Sequence, residues 1–426
     1  MTARIPVALR GAAFAAALAL AACGGVAAKD VPASDAGTDS PGVADVFVPP
    51  NDAPGPVTDG GPPDAPQLPE AAPFAEAPHS GPVVTPNGGP VLANPLLVTI
   101  TYSDDTDRAY EEALGAFMVQ SSWLSTVGKE YGVGLGTSTN VELPDMSPGT
   151  IDDTAIQSLI VSLIEAGTAP DPVADGGAQS AGAAYMFYFP TTTGITVDGS
   201  TLCQISGGGY HDESVVTANG HSFSYAVVQP CPGLPAPAPQ NLVWAASHEF
   251  IESATDPYPL SAPGFVILDP SMTWGLIGGE VGDLCTYVLP QWSEGPYTYL
   301  QRVYSNAAAA AGGDPCIPSP GTYFGADVEP QSLVALPAGQ TTTFQVKGWS
   351  TAEVGAWSIS AEPSAVQGTA NVDAVLGSNT LDNGQTTTLT VTMPPGTAAQ
   401  TYVNIYVTSQ GSGTEYSTAL AGVYVP

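Results

Sequence analysis

The chain has 426 residues, 43% of them hydrophobic, and a formal net charge of −33 from 7 Lys and Arg against 40 Asp and Glu. A surface this poor in cations excludes charge-driven binding of nucleic acid or of anionic lipid headgroups, and it suits solubility and the attraction of cations. Net charge says nothing about fold.

At the N-terminus Arg4 and Arg10 precede and flank an apolar run, Gly11 to Ala22, which ends in Leu20-Ala21-Ala22-Cys23. A run of about a dozen apolar residues is too short to span a bilayer and reads as a signal h-region. The last four residues resemble the lipobox of bacterial lipoproteins. The resemblance implies that 1–23 is a lipoprotein signal peptide and that Cys23 carries the lipid. Gly24, not Asp, follows the cysteine, so the expected location is exported and lipid-anchored, at the outer membrane or cell surface. An ordinary signal peptide with a chance cysteine is the alternative. Residues 24–90 are rich in Pro, Ala, Asp and Gly, with few large apolar side chains. Such a segment buries too little to offset its ordering entropy, so it is expected to be a disordered stalk.

Periodic structure begins at Leu96-Leu-Val-Thr-Ile-Thr-Tyr102, whose β-branched content predicts a strand. Apolar positions at helical spacing over 107–131 predict two helices, broken near Ser121–Ser122. Thr150-Ile-Asp-Asp153 resembles a capping box and opens a predicted helix over 152–166. Strands are predicted at 184–189 and 225–229. Asn241 is the predicted cap of a helix running to about Ala254, which Pro257 ends. The segment 91–320 is therefore expected to be one α+β domain with a mixed sheet. After Pro318 helical periodicity stops. Short alternating strands at 341–346, 356–361, 386–392 and 402–408 predict that 326–426 is an immunoglobulin-like β-sandwich, read most simply as a spacer or adhesive module.

Cys203, Cys231, Cys285 and Cys316 remain after Cys23. An even number in an exported chain reads as two disulfides with three possible connectivities. Cys203–Cys231 and Cys285–Cys316 are favoured because each closes a loop of moderate length. No Cys-x-x-Cys spacing supports a cysteine-ligated zinc.

The stretch that carries chemistry is Ser247-His248-Glu249-Phe-Ile-Glu252-Ser-Ala-Thr-Asp256-Pro257, in a chain with only 4 histidines. On a helix His248 and Glu252 lie one turn apart on one face, where a single divalent metal ion can take both. This is the arrangement of His-Glu-x-x-His metallopeptidases, with Glu252 in place of the second histidine. In those enzymes the Glu after the first His is the general base, which casts Glu249 in that role. Glu280 and Asp283 follow in Gly279-Glu280-Val-Gly-Asp283-Leu-Cys285. By spacing they resemble the Glu-zincin pair of a third ligand and an aspartate that supports a histidine. His211 is a further candidate ligand, and Asp256 and Asp283 are candidate supports. One histidine among carboxylates is a harder donor set than peptidase zinc sites use, so zinc and calcium both stay open. The competing reading is a structural helix whose His248 serves a hydrogen-bond network. A Ser-His-Asp hydrolase built on Ser247 is disfavoured, because Ser247 and His248 point to different sides of the helix and no Gly-x-Ser-x-Gly elbow occurs.

The ordered blocks 207–212, 225–231, 247–257, 279–285 and 301–306 (Gln-Arg-Val-Tyr-Ser-Asn) resemble the phosphate-induced, EXORDIUM-like family and its secreted bacterial relatives, over roughly residues 85–318. The resemblance implies export and importance of His248, Glu249, Glu252, Asp256, Glu280 and Asp283, and supplies no reaction. Two functional expectations follow. One is a surface-anchored, metallopeptidase-like protein with Glu249 as base and His248, Glu252 and Glu280 as metal ligands. The other is a non-catalytic extracellular binding or adhesion module, holding a structural ion or a hydrogen-bond network at the same residues. The expected partners are the membrane, through the lipid, and an extracellular protein or polysaccharide, with no nucleic acid.

Overall fold

The computed structural model describes residues 81–172, 182–205, 207–231 and 239–426; the expected signal peptide, Cys23 and the expected stalk up to residue 80 lie outside them. Leu96–Tyr102 forms strand β1, buried from Leu97 onward. Burial on both faces is what a central strand of a covered parallel sheet requires, and it explains the nearly unbroken apolar and β-branched run. β1 pairs in parallel with β2 (Thr137–Leu143) and with β3 (Ala183–Tyr188). An edge strand, β4 (Gly209–Glu213), runs antiparallel to β5 (Ser224–Val228), which is parallel to β3, so the sheet order is β2-β1-β3-β5-β4.

The helices pack on both faces of this sheet. α1 (Arg108–Met118) and α2 (Ser122–Val127) break at Ser121, whose hydroxyl accepts from Leu124 N and caps α2. α3 (Asp153–Glu165) is capped by Asp152, which accepts from Ala155 N. The capping box expected at Thr150 is not used, because Thr150–Asp152 is itself a short strand paired with Gly194–Val197. α4 (Gln240–Thr255) has Pro239 at its N-cap position, without a side-chain cap. Asn241, the expected cap, lies inside the first turn and its Nδ2 donates to Cys231 O at 3.4 Å.

Alternation along the strands sorts side chains into two cores. Leu97, Met186, Tyr188, Ala226 and Val228 face α1, α2 and α4. Val98, Ile100, Phe187, Tyr225 and Val227 face Ile156 and Ile160 of α3. α4 is buried from Asn241 to Thr255, on its polar face as well as its apolar one.

The C-terminal strands are β6 (Phe324–Glu329), β7 (Thr341–Ser350), β8 (Trp357–Gln367), β9 (Asp373–Leu376), β10 (Thr380–Leu381), β11 (Thr386–Thr392), β12 (Tyr402–Gln410) and β13 (Tyr416–Tyr424). They form one sheet in the order β6-β7-β11-β9 and a second that includes β13-β12-β8-β10. Phe344 and Leu389 from the first meet Ile359, Ile405 and Val423 from the second in a shared core. The protein is thus α+β, with strands in several sheets. Val288–Leu289 adds to β13, and Tyr287 meets Tyr406 with ring centroids 5.1 Å apart, so the C-terminal sheets are tied to the segment that follows α4.

The Pro- and Gly-rich segment, expected to be disordered to residue 90, is packed at Val84. Val84 is 1% exposed, and its N–H donates to Asn306 Oδ1 at 2.9 Å. Asn87 and Gly89 then bond the backbone of Gly264 and Pro263. The buried Val84 and these backbone bonds override a composition that reads as disordered.

Both disulfides form as expected, Cys203–Cys231 and Cys285–Cys316. Two structural disulfides point to an oxidising compartment. Among the described residues no helix is long and apolar enough to cross a membrane.

Candidate metal centre

Three segments distant in sequence bring two imidazoles and four carboxylates together. α4 sets His248 and Glu252 one turn apart, with His248 Nε2 3.2 Å from Glu252 Oε2. β4 supplies His211, paired with Ala226 and therefore on the α4 side of the sheet. His211 Nδ1 lies 3.5 Å from Glu252 Oε2 and 3.6 Å from Glu249 Oε2. The loop after α4 supplies Glu280, whose Oε2 is 3.4 Å from His211 Nε2, and Asp283, whose Oδ1 is 3.9 Å from His248 Nε2. Side-chain exposure runs from 4% at Glu252 to 12% at Asp283.

Glycines make room for this convergence. A Cβ at Gly209, two residues before His211 on the same strand face, would sit 2.6 Å from Glu249 Oε1. A Cβ at Gly282 would sit 2.7 Å from Glu252 Oε1 and 2.9 Å from His248 Nδ1. Backbone on both sides of the helix thus approaches the carboxylates as closely as it does only because no side chain intervenes.

Hydrogen bonds hold the groups in place. Asp283 N donates to Glu252 Oε1 at 3.0 Å, and Glu280 N donates to Asp283 Oδ2 at 3.1 Å. Asp283, expected to support a histidine, therefore organises the loop through one oxygen and turns the other toward His248 Nε2. The support on His248 Nδ1 is Gln301, with Oε1 at 3.1 Å. Gln301 Nε2 donates to Gly282 O at 2.7 Å, which leaves Oε1 as the acceptor for Nδ1–H. That bond engages Nδ1 and aims Nε2 at the carboxylates. Gln301 stands in the sequence block 301–306, yet nothing in its type or spacing signals this role. Ser247 Oγ accepts from Gln301 N at 2.8 Å and donates to Trp244 O at 3.1 Å, so it braces the support and is not placed as a nucleophile. Asp256 ends α4 and its Oδ1 accepts from Gly264 N at 2.7 Å, at the rim of the cluster.

The electrostatics follow from packing like charges in a buried space. Burial disfavours a charged His248, but Glu252, Glu249 and Asp283 outweigh it and hold its pKa up at about 10. Burial also opposes charge on His211, and Glu280, Glu249 and Glu252 overcome it, raising it well above the usual imidazole range. Burial would raise Glu252, but the two histidines hold it well below the usual carboxylate range. Burial pushes Glu280 well up, and burial with the charge of Glu252 pushes Asp283 to about 8. Without a cation, then, the cluster must keep protons to limit its negative charge.

The donors suit a divalent cation. Ligand atoms of His211, Glu252 and Glu280 all lie within 4.8 Å of one another, and so do those of His248, Glu252 and Asp283. His211 Nε2 is buried without a hydrogen-bond partner, the condition of a nitrogen shaped for a ligand. Of the residues expected to bind metal, Glu252 is common to both groups, His248 falls with Asp283, and Glu280 falls with His211.

No protein-family model matches the chain, and no curated protein matches it. Among solved structures, a secreted serine protease, VesC from Vibrio cholerae, aligns at 13% identity with a TM-score of 0.18, over 25% of this chain and 23% of the protease. A likeness at that level carries no argument about fold or function.

Proposed function

We propose that this is an exported, lipid-anchored protein whose α+β domain is a zincin-like, metallopeptidase-like metal centre. The observation that carries the reading is the convergence of His211, His248, Glu252, Glu280 and Asp283, from a strand, a helix and a loop, on one buried spot beside Glu249. A divalent ion held there supplies Lewis acidity. The chain's own residues supply the rest. Gln301 orients His248. Glu249 takes a proton from the water that attacks a peptide carbonyl and returns it to the amine nitrogen as the C–N bond breaks. The C-terminal strands form an immunoglobulin-like sandwich that serves as a spacer or adhesive module, and Cys23 holds the whole on the membrane.

A second reading is favoured by the low exposure of every member of the cluster: a structural ion, or an ion-free network, in a non-catalytic extracellular module. Glu249→Gln and His248→Ala separate the two. Under the catalytic reading Glu249→Gln keeps shape and metal but loses peptide hydrolysis, whereas His248→Ala loses metal and melting temperature. Under the non-catalytic reading the wild type hydrolyses nothing, and both changes alter only stability and the retention of any structural ion. Cys23→Ala tests the anchor: the variant is expected to leave the detergent phase, and a wild-type N-terminus beyond residue 24 without lipid would refute the anchor.

A further inference from the structure

We propose that the centre takes two divalent ions, bridged by Glu252. This rests on the reading that the cluster binds metal at all, and goes beyond it in ion number. Each of the two ligand groups contains one histidine and one private carboxylate, Glu280 beside His211 and Asp283 beside His248, and Glu252 is the one member they share. Glu252 Oε2 lies 3.2 Å from His248 Nε2, and a Glu252 oxygen also lies within 4.8 Å of the ligand atoms of His211 and Glu280. A carboxylate shared in this way can bridge two ions, as in sites whose two ions stand about 3.5–4 Å apart.

Charge supports the same count. Glu249, Glu252, Glu280 and Asp283 carry four negative charges when ionised, all at buried side chains. One divalent ion offsets only two of the four, whereas two ions balance them. Two imidazoles with four carboxylates is also the donor count of di-iron and di-manganese carboxylate sites. His211 Nε2 is a second pointer: it is buried without a hydrogen bond and faces Glu280 Oε2 at 3.4 Å, outside the His248 group.

The test uses the purified full chain, stripped of metal, loaded with Mn2+ and freed of excess by gel filtration. Elemental analysis is expected to find two Mn2+ per chain, and electron paramagnetic resonance an exchange-coupled multiline signal. His211→Gln and Asp283→Asn are each expected to halve the Mn2+ content and to replace that signal with the six-line spectrum of an isolated ion. Should either variant fail to fold, the wild-type stoichiometry and spectrum still decide. One Mn2+ per chain with a six-line spectrum overturns the two-ion centre and leaves the single-ion reading standing. Two ions with uncoupled spectra, one of them indifferent to both substitutions, overturn it as well. No bound Mn2+ ends both.

Discussion

Gln301 offers Oε1 to His248 Nδ1 at 3.1 Å while its own Nε2 donates to Gly282 O at 2.7 Å. One side chain thereby orients the helix histidine and ties it to the backbone of the loop that carries Glu280 and Asp283. Gln301→Ala removes both bonds. Partners that orient metal ligands in this way are typically worth 10–100-fold in metal affinity. Competition titration against a chelator is expected to show a loss in that range with little change in fold, and unchanged affinity would mean that Gln301 does not orient a ligand.

Gly282 has an ordinary negative φ of −76°, so an alanine there meets only a steric test. Its Cβ would stand 2.7 Å from Glu252 Oε1 and 2.9 Å from His248 Nδ1. Gly282→Ala is expected to cost about 1–3 kcal/mol of stability and to weaken metal binding. Denaturant melts and a metal titration of the same sample check this, and a variant that matches wild type in both would place the loop farther from the helix.

Much of this site is legible in the sequence, and for identifiable reasons. The His248-to-Glu252 spacing is a helix turn, and the run around it is long enough to declare the helix. The strand 96–102 and the disulfide pairs are equally local or arithmetic. His211 is harder: its strand is short and polar at three successive positions, 211–213, and it faces α4 only because β4 docks antiparallel at the sheet edge. Asp283 reads as a histidine support by spacing, yet the loop turns it to cap Glu280 N, and Gln301 takes the support from another segment. β13 is unmarked in the sequence, since the partner strand β12 and the added Val288–Leu289 define it.

Away from the metal cluster, Glu111 of α1 is fully buried, and neither of its carboxylate oxygens has a hydrogen-bond partner. Burial, aided by Asp105 and Asp107, raises its pKa from 4.5 to about 9. A folded pKa above the unfolded one means that its contribution is fully present below pH 4.5 and is lost as pH rises toward 9. Glu111→Gln has no such proton to lose. The variant is expected to gain on wild type by up to about 1.4 kcal/mol per pH unit across that window. Urea unfolding of both proteins from pH 5 to 8 measures the difference, and parallel stability curves would contradict a buried neutral Glu111.

Cys285 stands two residues after Asp283, and its bond to Cys316 anchors the loop that carries the carboxylates. Replacing both cysteines by serine is expected to cost about 2–4 kcal/mol. It is also expected to weaken metal binding more than the same change at Cys203 and Cys231 does. Equal metal affinity in the two double variants would detach the disulfide from the site.

The central claim is that the buried carboxylates of Glu252, Glu280 and Asp283 are held together by a cation. Thermal unfolding of the purified protein with and without EDTA, with elemental analysis of the same preparation, tests it most directly. A ligand bound only by the folded state stabilises it by mass action, so removing the ion exposes the like charges to one another and lowers stability. The account predicts bound divalent metal and a melting temperature that falls by several degrees in EDTA and recovers when metal is restored. A melting curve unchanged by EDTA, in protein that carries no metal, would contradict it.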